Sequence, residues 1–188
     1  MKNPFPLFCL PPVSYFAYLL KQEKVEISIG EIYLKQTLRN RFYIMGPNNV
    51  MRLSIPVINK HQQCRISEIK IDYSENFILK HWRSIEASYR NSPYFEHYFD
   101  DFYKLFMAKH ILLAEFNIEA LKIVLNILKS EISVSLNTHN IHRTEEIPQQ
   151  YSFKKYNQVF ADRHGFIKDL SIIDVIFNNG PYSCEILI

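Results

Sequence analysis

Met51-Arg52-Leu53-Ser54-Ile55-Pro56-Val57 sets an apolar side chain at every second position and Arg, Ser or Pro between them. Side chains on a strand point alternately to opposite faces, so this run predicts a strand that turns Met51, Leu53, Ile55 and Val57 to a core. Pro56 has no N–H to give to a ladder, so the strand is expected to lie at an edge or to end there. Just upstream, Gly46-Pro47-Asn48-Asn49 has the composition of a turn, with the Arg39 to Met45 segment leading into it. Further upstream, Val25, Ile27 and Ile29 alternate with Glu26 and Ser28. Downstream, Ile69, Ile71 and Tyr73 alternate with Lys70 and Asp72. Together these runs predict one small antiparallel sheet in the first half of the chain.

Beyond Tyr73 the apolar period changes. Ser74 is the expected N-cap of a helix whose stripe is Ile78, Trp82, Ile85 and Tyr89, with Lys80, Arg83 and Arg90 off the stripe. Ser92-Pro93 restarts the chain, Ser as N-cap and Pro at the first helical position, ahead of Phe95, Phe99, Phe102 and Phe106. Asn117 is the expected cap of a third helix. Its buried face is Leu121, Val124, Leu125 and Leu128, and its polar face Glu119, Lys122, Asn126 and Lys129. Ile132 to Leu136 alternates as a further strand, and Asn137 to Gln150 reads as a long polar loop. Ser171-Ile172-Ile173-Asp174 has the form of a capping box, and Gly180-Pro181 should stop that helix at Asn178 or Asn179. The expected fold is α+β: a single domain over residues 1–188, with a small N-terminal sheet, a helical middle, a further strand and a C-terminal helix.

Composition narrows the function. With only 4 Gly in 188 residues, no GxGxxG or GxxxxGK[ST] can be written, so the common dinucleotide and nucleoside-triphosphate loops are absent and no cofactor is expected. A net charge of +3 is too small to argue for nucleic acid, which is not an expected partner. Cys9, Cys64 and Cys184 match neither a zinc spacing nor a disulfide framework and read as reduced, mostly buried thiols. Phe5 to Leu20 is apolar but interrupted by Pro6, Pro11 and Pro12, so it is not expected to span a membrane; the expected location is cytoplasmic.

The residues that could do chemistry are few. On an extended segment Lys35, Arg39 and Arg41 would share a face with Thr37 and could grip a phosphate or carboxylate. A solvated strand face explains them as well. Asn40 would point the other way and could hold a substrate hydroxyl. His81 and His164 are candidate general bases, the first with Ser84 and Ser88 further along the same helix, the second in a turn beside Gly165. Asp174 is a candidate catalytic acid, although its capping-box position is already a structural reason for it. His139, His142, Glu145 and Glu146 read as a solvated loop more readily than as a metal site, and no metal is assigned.

Several blocks, in order along most of the chain, resemble motifs of the WbqC-like family. Leu10-Pro11-Pro12-Val13-Ser14-Tyr15-Phe16 is similar to its Leu-Pro-x-x-Gly-Tyr-Phe, and Lys35-Gln36-Thr37-Leu38-Arg39-Asn40-Arg41 to its Lys-x-x-x-x-Asn-Arg. Leu53 to Val57, Lys80-His81-Trp82 with Tyr89, and Ser92-Pro93-Tyr94-Phe95 resemble its central blocks. Tyr156 to Phe160 and Leu170 to Asn178 resemble its C-terminal signature. Where members carry His-Gln-Pro, this chain has Phe5, Pro6 and Leu7. The resemblance implies a role near O-antigen or surface-polysaccharide assembly. It implies a small-molecule sugar or nucleotide-sugar partner, with Tyr15 joining Lys35, Arg39, Asn40 and Arg41 as substrate-binding candidates. Two readings stay open. One is a transferase of glycine, aminoacyl or acyl groups. The other is a non-catalytic interaction or ligand-binding protein whose surplus aromatics, including Tyr94, Phe95 and Tyr98, form an interface. Oligomeric state cannot be read.

Overall fold

The computed structural model describes residues 4–58, 64–139 and 153–188. The fold is mixed α+β around one hydrophobic core. The N-terminal apolar run supplies β1 (Phe5–Pro6) and α1 (Val13–Leu19), whose side chains are nearly all buried in that core. The alternating runs give β2 (Lys24–Ser28), β3 (Arg41–Met45) and β4 (Val50–Ser54). They do not form one antiparallel sheet. β3 and β4 form an antiparallel hairpin closed by Gly46 N–H on Asn49 O at 2.9 Å, with Phe42 opposite Leu53. β2 belongs to a separate parallel sheet, between β1 and the later strand β5 (Ser133–Asn137). Alternation shows which side chains face inward, but it carries no information about which strand lies alongside. As expected, β4 stops before Pro56.

Ile69 to Tyr73 forms no strand. The segment follows a 3-10 turn at Ile66–Glu68 and makes only single bridges, Ile71 to Val57 and Lys70 to Leu112. Ile69 and Ile71 are buried all the same, so the alternation recorded facing and not a ladder.

α2 (Phe77–Tyr89), α3 (Phe95–Met107) and α4 (Leu113–Ile127) make the helical middle. Their stripes lie where the periodicity puts them, with Ile78, Trp82, Ile85 and Tyr89 buried. Their starts differ from expectation. Ser74 lies in an Asx turn, its N–H on Asp72 Oδ1 at 2.9 Å, and the N-cap is Asn76. Ser92 turns back to close α2, donating to Tyr89 O at 2.6 Å, so α3 begins at Phe95 instead of Pro93. α4 begins four residues before Asn117, where Glu115 accepts from Leu112 N–H at 3.0 Å. Much of the aromatic surplus is packed in the core, although Tyr94 is half-buried and Tyr43, Tyr73, Tyr103 and Tyr182 are exposed. Phe95 and Tyr98 are buried, and Trp82 sits among Phe95, Phe99, Tyr103 and Phe106 with ring centroids 5.1–6.4 Å away.

After α5 (Ala161–His164) comes α6 (Ile172–Asn179), buried from Ile172 to Asn178. Gly180 ends it as expected, but the chain continues through a 3-10 turn at Gly180–Tyr182 into α7 (Ser183–Leu187). Ser183 Oγ holds that corner by donating to Gly180 O at 2.7 Å. Cys9, Cys64 and Cys184 form no disulfide. Cys9 is buried, whereas Cys64 and Cys184 are only partly so. Residues 140–150 of the expected polar loop lie outside the described residues. No helix among the described residues is long and apolar enough to cross a membrane.

Gly180 has φ +52°, and a Cβ there would overlap the Tyr94 ring. Gly180→Ala should therefore destabilise the fold by about 2–4 kcal/mol, from left-handed strain plus overpacking. Urea unfolding measures it, and a loss below ~1 kcal/mol would mean that Tyr94 moves aside freely.

Candidate functional site

The segment from Lys35 to Arg41 is not extended. It turns, with Gln36 in the left-handed region at φ +62°, and only Arg41 enters β3. Lys35, Arg39 and Arg41 therefore do not share a face. Arg39 points inward and meets Glu31 as a two-pronged pair, Nε to Oε1 at 2.9 Å and Nη2 to Oε2 at 2.6 Å. Both residues are buried, and the guanidinium also lies 5.6 Å from the Phe8 ring centre. Arg39 Nη1 donates to Thr37 Oγ1 at 3.3 Å, and Thr37 Oγ1 donates to Leu34 O at 2.7 Å. The buried pair thus braces the loop that carries Lys35 and Gln36.

The backbone of the segment is fixed as firmly. Three successive carbonyls accept from three different places: Leu38 O from Cys9 N–H, Arg39 O from Asn117 Nδ2, and Asn40 O from Ile55 N–H, each at 2.8 Å. Asn117, expected as a helix cap, is fully buried inside α4 and serves this clamp. Asn40 Nδ2 returns a bond to Ile55 O at 2.9 Å.

In front of this scaffold lies a cavity of about 320 Å³. Lys35, Gln36, Asn40 and Arg41 line one part of it, Ser54, Ile55, Pro56 and Val57 another, and Tyr33 and Asp72 complete it. Arg41 Nε and Asn40 Oδ1 are buried without hydrogen-bond partners, and no carboxylate pairs with Arg41 among the described residues. Burial raises the Tyr33 phenol above its ordinary pKa despite the opposing pull of Arg41 and Arg39, so it remains a hydroxyl at neutral pH.

The other candidates lie outside the cavity lining. His81, on α2, packs edge-to-face on Phe77 and Phe42, and its Nδ1 is buried without a partner. Burial lowers its pKa to about 4, so the ring is neutral at physiological pH. Ser84 bonds to Lys80 O at 3.0 Å, and the Ser88 hydroxyl is buried without a partner, so neither forms a nucleophile–base pair with it. His164 ties α5 to the hairpin turn, with Nε2 3.0 Å from Pro47 O. Tyr15 is a core residue whose hydroxyl donates to Pro6 O at 3.0 Å; burial, then Glu31, raises its pKa.

Asp174 does not close a capping box. Ser171 Oγ donates instead to Leu10 O at 2.8 Å. The fully buried carboxylate accepts from Tyr156 Oη at 2.6 Å, Gln158 Nε2 at 2.8 Å and Tyr89 Oη at 2.9 Å. Three donors give it a structural purpose on the buried face of α6.

The fold thus brings Lys35, Asn40 and Arg41 together and sets Arg39 behind them. It adds Tyr33, Gln36 and Asp72, which the sequence reading did not select. Asp72 was legible only as an outward position of an alternating run, and nothing in the sequence marks the left-handed Gln36.

Two expectations follow. Arg39→Ala would leave Glu31 buried and unpaired, at a cost of about 3–5 kcal/mol in urea unfolding. Asp174 is raised above its ordinary 3.8 by burial, which its hydrogen bonds from Tyr156, Gln158 and Tyr89 only partly offset. The folded state then holds that proton more tightly than the unfolded chain, and this group's contribution to stability falls as pH rises from 3.8 through its folded value. Asp174→Asn removes the dependence, so over that range its unfolding midpoint should gain on the wild type as pH increases. A constant difference would show an unshifted carboxyl.

The chain matches the model of the WbqC-like protein family over residues 8–147. That span contains every cavity-lining residue, whereas His164, Asp174 and the blocks at Tyr156 to Phe160 and Leu170 to Asn178 lie beyond it. No curated protein and no solved structure matches. On a match to well over half of its length, the chain belongs to the WbqC-like protein family.

Proposed function

We propose that this protein acts in O-antigen or related surface-polysaccharide synthesis. In this role it binds a sugar or nucleotide sugar in the cavity beside Arg41 and transfers a small aminoacyl or acyl group to it. Family membership is consistent with the polysaccharide role. The observation that carries the binding reading is the contrast between two arginines two residues apart. Arg39 is neutralised by Glu31, while Arg41 stands on the cavity wall and no carboxylate among the described residues forms an ion pair with it. Guanidinium groups recognise phosphate and carboxylate in a two-pronged geometry, and polar groups left unsatisfied in a folded interior concentrate where function needs them.

The transfer needs a group to take a proton from the acceptor amine or hydroxyl as the new bond to the acyl carbon forms and the donor's leaving group departs. We assign this to Asp72, the carboxylate in the cavity lining, in place of His81, His164 or Asp174. A non-catalytic sugar-binding member is the second reading. It is favoured by the separation of both histidines from Arg41's cavity.

A thermal-shift screen against nucleotide sugars, sugar phosphates, acyl-CoAs and amino acids tests the binding. A ligand at ~100 times its Kd stabilises by about 2.7 kcal/mol. Arg41→Ala should keep the wild-type melting temperature in the absence of ligand, since no ion pair is lost, and should abolish the shift. Silence from every compound would remove the cavity as a binding site. Binding without turnover when donor and acceptor are mixed would select the second reading.

A further inference from the structure

We infer that the cavity takes a single monosaccharide-sized anion, a sugar phosphate or the sugar-phosphate end of a nucleotide sugar. Its negative group would sit at Arg41 and Lys35, and a hydroxyl or ammonium at Asp72, with any nucleoside left outside. The inference rests on the binding reading above and specifies its ligand.

Size is the first argument. About 320 Å³ is near the floor of the ~300–1,000 Å³ range of ligand sites, enough for one sugar ring and its phosphate. Charge is the second. Charged side chains among the described lining residues include Lys35 and Arg41, two cations suited to the roughly −1.5 to −2 charge of a phosphate monoester. Asp72 in the same lining can accept from a hydroxyl or ammonium, so the lining offers both a cationic and an anionic contact. The wall between is chemically suited to a sugar. Ile55, Pro56 and Val57 offer an apolar surface for ring C–H groups, and Asn40, its amide fixed by Ile55 O, offers polar contact at the margin. A nucleobase would call for stacking surfaces, and among the described lining residues Tyr33 is the one aromatic.

Isothermal titration of the wild type with glucosamine 1-phosphate, glucose 1-phosphate, UDP-glucose, UDP and inorganic phosphate tests this. The expected result is measurable binding of a sugar phosphate, less than about tenfold gained by UDP-glucose over glucose 1-phosphate, and UDP bound no more tightly than inorganic phosphate. Asp72→Asn, which keeps an oxygen for the Ser74 N–H, should weaken the sugar phosphates by about tenfold or more and leave inorganic phosphate unchanged. Arg41→Ala should weaken all of them. UDP binding comparable to UDP-glucose, or an Asp72→Asn protein that binds sugar phosphates as well as the wild type, overturns the inference while leaving the cavity a ligand site. No binding by any probe removes the underlying reading as well, and this inference with it.

Discussion

The buried pair of Arg39 and Glu31 is the interaction on which the site depends. A buried charge pair contributes little net stability, because desolvation of both partners consumes most of their attraction. Its value here is positional. It holds Arg39 away from the cavity, reaches Thr37 through the third guanidinium nitrogen, and through Thr37 fixes the carbonyl of Leu34. A turn containing a left-handed glutamine is thereby kept in one conformation. Arg41 is then left as the cation beside Asn40 on the cavity wall.

A second buried polar centre works differently. Asp174 has no cation among its hydrogen-bond partners and relies on two tyrosine hydroxyls and a glutamine amide. These donors come from the end of α2 and from the segment ahead of α5, so one carboxylate joins parts of the chain that would otherwise meet only through apolar contact. Gln158 extends the link by bonding both ways with Ile167, its Nε2 to the carbonyl and its Oε1 to the N–H. α6 can therefore be buried on nearly every side without an unpaired acid in it.

What the sequence made legible follows from which forces act locally. Apolar periodicity located the strands β2 and β4 and the stripes of α2 and α3, because facing is decided residue by residue. Strand partners were not legible: β5 joins β2 across more than a hundred residues, and no local pattern encodes that pairing. Helix starts were misplaced at Ser74, Ser92 and Asn117 because each is a good cap by type but is engaged otherwise: Ser74 lies in a local turn with Asp72, Ser92 bonds back to Tyr89, and Asn117 reaches the distant Arg39 carbonyl. In the 35–41 segment the residue types were the right ones to notice. Their division into bracing (Thr37, Arg39) and lining (Lys35, Asn40, Arg41) depended on Glu31 and on a bend that alternation cannot express. Asp72 was hidden because its neighbours across the cavity come from distant sequence.

The clamp on the three carbonyls of Leu38, Arg39 and Asn40 has a consequence for how the molecule is made. Its donors come from the N-terminal segment, from β4's trailing end and from the middle of α4, so the closing contacts span up to 78 residues of chain. Contacts of that separation carry a loop-closure cost that grows with the length of chain between them. As the chain emerges during synthesis, the arginine segment is present long before α4. Until that helix docks, the cavity wall has the right residues and no fixed shape. The cavity wall thus takes its final shape only in the completed fold.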